Sequence, residues 1–447
     1  MHVPPRSPRR RAATPLVALP ALAAVLTPLL VPAAAAAQDP AVDAAVEEVL
    51  DRIVELRHHI HQNPELGNRE FETAALVAEH LRELGFDEVR EGIAHTGVVG
   101  LLRGGLPGDT VAVRADMDAL PVTEDTPYPW ASTVRTEYLG QEVGVMHACG
   151  HDIHVAVQLG VASVLASMRD RIPGVVKFVF QPAEEGPPPG EEGGADLMVR
   201  EGVLENPRPS AIFGLHASAD MPVGTLGYST GPMLAAVDHF RIRVIGRQTH
   251  GAYPELGVDP VVMASQVILA LQTIRSRTLP SLEPSVVTVG IVRGGTRFNI
   301  IPDEVHLEGT VRTYDPDVRD TVERRMDEIL AGITAAAGGS YEFVYDRGTP
   351  AVINDAQLVA RMAPTLERVA GAERVQVLDP VMGGEDFAYF ANEVPGFFYR
   401  LGTQAPGVVS GGHHTPTFMA DDSAIPVGIR AMSNVVLDYL RGRPTSR

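Results

Sequence analysis

Cysteine is almost absent from this chain. Among 447 residues there is one, Cys149, and a single thiol excludes any internal disulfide framework. Lysine is as scarce: Lys177 is the only one among 37 basic residues, a bias of composition that carries no functional signal by itself. Positive charge is short overall, with 37 Lys and Arg against 56 Asp and Glu and a formal net charge of -19. That balance excludes nucleic acid and an anionic membrane surface as natural partners. Internal repeats are lacking. Beyond the N-terminus the only low-complexity stretch is a Pro/Gly/Glu loop, 186–194.

Long apolar runs are lacking too, except at the start. Arg6, Arg9, Arg10 and Arg11 form a basic segment, residues 12–31 are apolar and uncharged, and Ala33–Ala37 offer a small-residue cleavage site before Gln38. The pattern predicts a signal peptide over residues 1–37 and a secreted or periplasmic mature protein. Pro15, Pro20 and Pro28 interrupt the apolar run, which suits a cleaved signal better than a membrane span. Exported proteins ordinarily pair their cysteines. An unpaired one is either buried and inert or held as a metal thiolate.

What is present reads as layered α/β structure. Apolar periodicity predicts helices over 41–62, 70–84, 151–168 and 195–201, and strands over 98–102, 110–114, 175–180 and 211–215. Alternating strands and helices imply a sheet covered on both faces, with ligand groups at strand ends. From Val237 the texture changes: strand 237–245, helix 258–276, strands 286–292 and 305–313, helix 317–335, strand 341–345. This βαββαβ order is that of a ferredoxin-like unit. Helical and strand segments at 355–370, 396–401 and 425–440 then resume. The expected organisation is a catalytic domain over 38–235 and 348–447, interrupted by a lid over 236–347.

His147-Ala148-Cys149-Gly150-His151-Asp152-Ile153-His154 packs three histidines, an aspartate and the lone cysteine into eight residues. All of these side chains bind metals or move protons. Asp116/Asp118, Glu184/Glu185, His216 and His413/His414 add further donors, each expected after a strand or at a helix start. Adjacent carboxylates such as Glu184 and Glu185 let one bind metal while the other handles a proton. The loop Ser410-Gly411-Gly412-His413-His414-Thr415-Pro416 is glycine-rich enough to fold around an ion, and one of its two histidines is expected to bind.

These segments, together with His61-Gln62-Asn63-Pro64-Glu65-Leu66, Arg114 to Pro121, Phe180 to Glu185, Gly214-Leu215-His216 and Gly384-Glu385-Asp386-Phe387, resemble the M20 metallopeptidase superfamily, in its amidohydrolase branch. The resemblance spans essentially the whole mature chain. It implies a layered α/β metallohydrolase domain with an inserted lid, and two divalent metal ions, zinc or manganese foremost, with cobalt or nickel as alternatives. It implies Cys149, His151, Glu185, His216 and His414 as ligands and Glu184 as the general base. His414 is preferred over His413 because the family pattern reads His-x-Pro. Asp118 and Asp116 would orient a ligand from behind. In the lid, His250 resembles the family's oxyanion-stabilising histidine, often placed across a dimer interface, and Asn299 and Arg312 resemble residues that hold the substrate carboxylate. A homodimer through the lid is expected.

The implied activity is hydrolysis of the amide of an N-acyl amino acid, or of a short peptide, bearing a free carboxylate. Two rivals stand beside it: a dipeptidase or carboxypeptidase of the same superfamily, and a non-catalytic carboxylate-binding protein. Two other motifs are decoys. Gly227-Tyr228-Ser229-Thr230-Gly231 fits a nucleophile elbow, but Pro232 and a new strand follow where a helix is required. Gly383 to Phe387 resembles a diguanylate cyclase signature without any phosphate-cradling glycine loop. One departure from the family is the acidic, Pro-rich loop 186–192, expected at the mouth of the pocket.

Overall fold

The computed structural model describes residues 39–442; the signal-peptide expectation, 1–37, lies outside them. The chain opens with α1 (Pro40–Gln62) and α2 (Phe71–Glu83), then β1 (Glu88–Ile93), β2 (Gly97–Arg103) and β3 (Leu106–Asp116). A hairpin of β4 (Arg135–Tyr138) and β5 (Gln141–Gly144) precedes α3 (His151–Ser167), β6 (Pro173–Gln181) and α4 (Gly194–Arg200). After β7 (Ile212–Pro222), β8 (Leu226–Tyr228) and β9 (Gly231–Leu234) comes the lid. Its elements are β10 (Ala236–Ile245), β11 (Thr249–His250), α5 (Pro260–Thr273), β12 (Ser285–Gly294), β13 (Ile300–Ile301), β14 (Glu304–Thr313), α6 (Pro316–Ala337) and β15 (Ser340–Arg347). The chain closes with β16 (Val352–Asn354), α7 (Ala356–Ala370), β17 (Val375–Val377), α8 (Phe387–Glu393), β18 (Gly396–Gln404) and α9 (Ala424–Leu440).

Eight strands form the large sheet, in the order β1-β2-β6-β3-β7-β18-β8-β17. Its centre, β6-β3-β7-β18, is parallel throughout. These strands are apolar on both faces, as a sheet covered twice requires. Val111, Val113, Phe178, Phe180, Phe213, Phe397 and Tyr399 pack with α1, α3 and α9. The alternate residues Ala112, Val179, Ile212 and Phe398 pack with α4 and α8. The innermost helix is α3, buried on every side from His151 to Leu165, which explains its all-round apolar sequence. No helix among the described residues is long and apolar enough to cross a membrane.

The lid sheet has the order β12-β14-β10-β15, all antiparallel, with α5 and α6 completing a separate apolar cluster around Phe240, Val267, Leu307 and Met326. The layered α/β fold with a ferredoxin-like lid is therefore present. Sequence periodicity did not reveal β1 or the β4–β5 hairpin. Both are polar and largely exposed, so they show no apolar alternation.

One expectation needs correction. His216 does not follow a strand; it lies within β7. β7 pairs with β3 only over Ile212–Gly214, then continues along β18 as far as Pro222. Beyond Gly214 the sheet parts between β3 and β7, and the donor residues gather at this split.

Candidate metal centre

α3 begins at the split. Gly150, at its N-cap, has φ 88°, and a Cβ there would stand 2.9 Å from the Cβ of Ala217. Only glycine meets both demands, and the turn presents Cys149 and His151 together. The backbone N–H of His414 donates to the Ala148 carbonyl at 2.9 Å, which ties the glycine-rich loop to the same turn. His414 itself takes a left-handed conformation, φ 64°, uncommon for a residue with a side chain.

Cys149 is the hub. Its Sγ lies 3.5 Å from His216 Nε2 and 3.6 Å from His413 Nδ1. His414 Nε2 lies 3.0 Å from Glu185 Oε1. His151 Nε2 lies 3.8 Å from Glu184 Oε2 and 4.0 Å from Glu185 Oε1. Two three-donor groups share Cys149, namely Cys149/His151/His216 and Cys149/Glu185/His414, each with its atoms within 4.8 Å of one another. All five expected ligands are thus brought together. His413 also approaches the thiol but belongs to neither group.

Hydrogen bonding sets the tautomers. His151 Nδ1 donates to the Asp118 carbonyl at 2.8 Å, and His216 Nδ1 donates to the Ala217 carbonyl at 2.6 Å. A carbonyl accepts only, so in the neutral ring, the form that binds a metal, each Nε2 carries the lone pair and aims it into the cluster. His151 Nε2 is buried with no hydrogen-bond partner, an arrangement that native structures avoid unless an ion or water belongs there. A thiolate, imidazoles and a carboxylate at this spacing fit divalent transition metals. His154 does not qualify: its Nε2 accepts from Ala217 N and its Nδ1 bonds Asp116. His147 is buried with both ring nitrogens unpartnered, and burial brings its pKa down to about 4. Asp152 belongs to a different network, gripping Arg57 at 2.8 Å and His61 at 2.9 Å.

Several groups that support the site were not singled out from sequence. Arg114 is fully buried and clamps Asp116 (2.7 Å), Glu385 (2.9 Å) and Asp386 (3.0 Å). Glu70 accepts the backbone N–H of Ala183 at 2.8 Å, which holds the turn before Glu184 at a positive φ of 50°. Glu385 and Asp386, part of a motif set aside as a decoy for another chemistry, form a carboxylate group with Glu184. Burial pushes the Glu184 carboxyl well above the ordinary range, and Glu385, Glu185 and Asp386 add to the rise. Burial likewise raises Asp386 to about 7, with Arg114 opposing, and raises the Cys149 thiol, with Glu185 adding.

The lid residues are placed differently. His250 and Asn299 lie on or beside the small β11–β13 ribbon, and neither bonds to the cluster among the described residues. The backbone N–H of Ala252 donates to His250 Nδ1 at 3.0 Å, so the proton of the neutral ring sits on Nε2. Arg312 pairs opposite Val237 on β10, half-buried, and a side chain at Gly384 would stand 3.7 Å from its Nη1.

The pattern of peptidase family M20/M25/M40 matches residues 112–438. The chain belongs to the M20 peptidase family. It is 39% identical over 378 residues to the N-acetyl-L-cysteine deacetylase of Bacillus subtilis (strain 168), covering 84% of this chain and 85% of that one. It is 36% identical over 397 residues to thermostable carboxypeptidase 2 of Saccharolobus solfataricus, covering 88% and 96%. Among solved structures, the Bacillus subtilis YXEP protein, described as a dinuclear metal-binding peptidase of the M20 family, superposes with a TM-score of 0.74 at 34% identity. That match covers 88% of this chain and 99% of that one. Like its M20 relatives, this protein is a hydrolase of amide bonds with a metal-binding site.

Proposed function

We propose that this M20 protein removes the acyl group from N-acyl amino acids carrying a free carboxylate. The observation that carries the reading is the buried Glu184 carboxyl beside two donor groups that share Cys149. Two divalent ions, zinc or manganese foremost, would be held by Cys149, His151, Glu185, His216 and His414, and would supply Lewis-acid polarisation of the carbonyl and acidification of water.

The chain's own groups do the rest. Glu184 takes a proton from the attacking water and returns it to the leaving amine nitrogen. A carboxyl raised by burial suits both halves of that transfer near neutral pH. Arg114 fixes Asp116, Glu385 and Asp386 around it and keeps the added negative charge partly neutralised. Arg312 and Asn299 hold the substrate carboxylate, for which a guanidinium fork is well matched. His250 offers its Nε2–H to the carbonyl oxygen as negative charge develops there. Because His250 does not reach its own cluster, it would act on that of a second copy. The exposed apolar residues Val261, Val262 and Leu269 on α5, with Val292 on the edge strand β12, suit a lid-to-lid homodimer.

We further infer that the mature enzyme is exported and begins at Gln38; N-terminal sequencing of protein recovered outside the cytoplasm checks this. For activity, the test is amino-acid release from a panel of N-acyl amino acids and dipeptides, with and without chelator, by wild type and Glu184→Gln. Faster turnover of dipeptides would favour the carboxypeptidase-like rival, in line with the Saccharolobus relative. Ligand binding without any turnover would leave only the non-catalytic binder.

A further inference from the structure

Arg400 is a largely buried guanidinium with nothing in its grasp. Three arginines with buried side chains in the catalytic domain hold carboxylates: Arg57 holds Asp152 and Asp422, Arg114 holds three acids, and Arg368 holds Asp438. The Arg400 side chain makes no hydrogen bond and no ion pair among the described residues. Leaving such a cation out of water without a partner is costly, so the fold keeps it open to one.

Strand alternation fixes where it points. Phe397, Tyr399 and Leu401 of β18 face the α1/α3/α9 layer, so Phe398 and Arg400 face the other way. In the parallel register Arg400 stands opposite His216 of β7, about 4.8 Å away by strand spacing. His216 is one of the residues that gather on Cys149. The guanidinium opens into a cavity of about 290 Å³ bounded by His413, Ser218, Met221, Met233, Leu378 and Val381. Two acids, Asp220 and Asp379, stand exposed at its rim, and neither comes within ion-pair distance of Arg400.

A second cavity, of about 580 Å³, flanks the cluster and touches Asp118 and Glu185. Two lobes thus flank the cluster, one against Asp118 and Glu185 and the other against His413 beside the Cys149 thiol. The larger is lined by Leu66, Leu120, Tyr138 and Pro188 and has the room for an acyl chain. The smaller combines one free cation with methionine and aliphatic walls, the complement of an amino acid: a carboxylate on a short apolar stem.

We propose that Arg400 anchors a carboxylate of the amino-acid half of the substrate in this smaller lobe. The inference rests on the amidohydrolase reading and sharpens it. Arg312 and Arg400 together give the amino-acid half two cationic contacts, so the preferred substrates are those with two carboxylates, N-acyl derivatives of glutamate or aspartate.

The test compares N-acetyl-L-glutamate with N-acetyl-L-methionine on the metal-loaded enzyme. Arg400→Gln should raise KM about 10- to 100-fold, as expected for a lost charge-assisted contact, with little change in kcat. Arg400→Lys should restore part of it. A rise confined to the glutamate substrate places the side-chain carboxylate on Arg400; a rise on both places the α-carboxylate there, and either supports an anchor. Asp220→Asn, which removes a competing acid at the rim, should lower KM. Unchanged KM for both substrates in Arg400→Gln, at wild-type melting temperature and metal content, overturns the proposal. If Arg400→Gln does not fold, an unchanged or raised KM in Asp220→Asn overturns it. Should wild type hydrolyse no N-acyl amino acid, the activity reading fails by itself. Calorimetric binding of glutamate to wild type and Arg400→Gln then decides the anchor separately, and equal affinity rules it out.

Discussion

Asp118 holds His151 from two directions, its carbonyl 2.8 Å and its carboxylate Oδ1 3.2 Å from His151 Nδ1. Its other carboxylate oxygen accepts the backbone N–H of Glu185 at 3.0 Å. One residue thus orients donors on both sides of the cluster. Asp118→Ala should weaken metal binding by about 10- to 100-fold, the usual cost of removing a group that orients a metal-binding histidine. Competition titration with a metal chelator checks this; unchanged affinity would remove Asp118 from that role.

Cys149 is the shared donor of both groups and the only sulfhydryl in the chain. Without metal, burial and the neighbouring Glu185 carboxylate keep its thiol protonated. Metal removal should still expose it to oxidation, since bound metal covers the sulfur. Peroxide should inactivate the apo-protein faster than the metal-loaded protein, with the difference visible by mass spectrometry of the Cys149 peptide. Equal loss in both states would count against Cys149 as a ligand.

Loop 186–192 is pinned by Glu191, whose carboxylate accepts from Arg69 at 2.5 Å and from Asn68 at 3.1 Å. Pro188 and Pro189 of the same loop line the larger lobe of the cleft. Glu191→Ala should let this wall drift. Its expected signature is a lower ratio of kcat/KM for a benzoyl over an acetyl substrate, with acetyl turnover nearly intact. A uniform change across acyl groups would mean that the loop does not read the acyl chain.

Lys177, buried in β6, donates to the carbonyls of Val203 at 2.8 Å and Glu205 at 2.7 Å. Burial brings its pKa down to about 8, against ~10.4 in the unfolded chain. Between those two values the unfolded state binds the extra proton, so this residue's contribution to stability rises with pH across that window and is smallest below it. Subtracting the urea-unfolding free energies of Lys177→Met from those of wild type at each pH isolates the slope. A flat difference between pH 8 and pH 10 would contradict the assignment.

Much of the site was legible because its donors sit at ends of apolar segments, where the period breaks and a polar cluster stands out. Cys149, His151, Glu184 and Glu185 are of this kind. The lid was readable because six of its elements show alternation or helical period. What stayed hidden depends on distant pairing. Nothing near Arg114 in sequence announces Glu385 and Asp386, 271 and 272 positions away. Arg400 looks like any charged residue on a strand until the register sets it opposite His216. The placement of His216 inside β7 was missed for the same reason, since only the pairing with β18 shows how far that strand continues.

The burial of Lys177 has a practical consequence. With its ε-amine covered and no other lysine in the sequence, the native protein offers an amine-reactive reagent its N-terminal amino group and little else. A second label on the same molecule then records that the central sheet has opened. Counting doubly labelled molecules by intact mass would give an unfolding clock that needs no engineered probe and leaves the metal-binding side chains untouched.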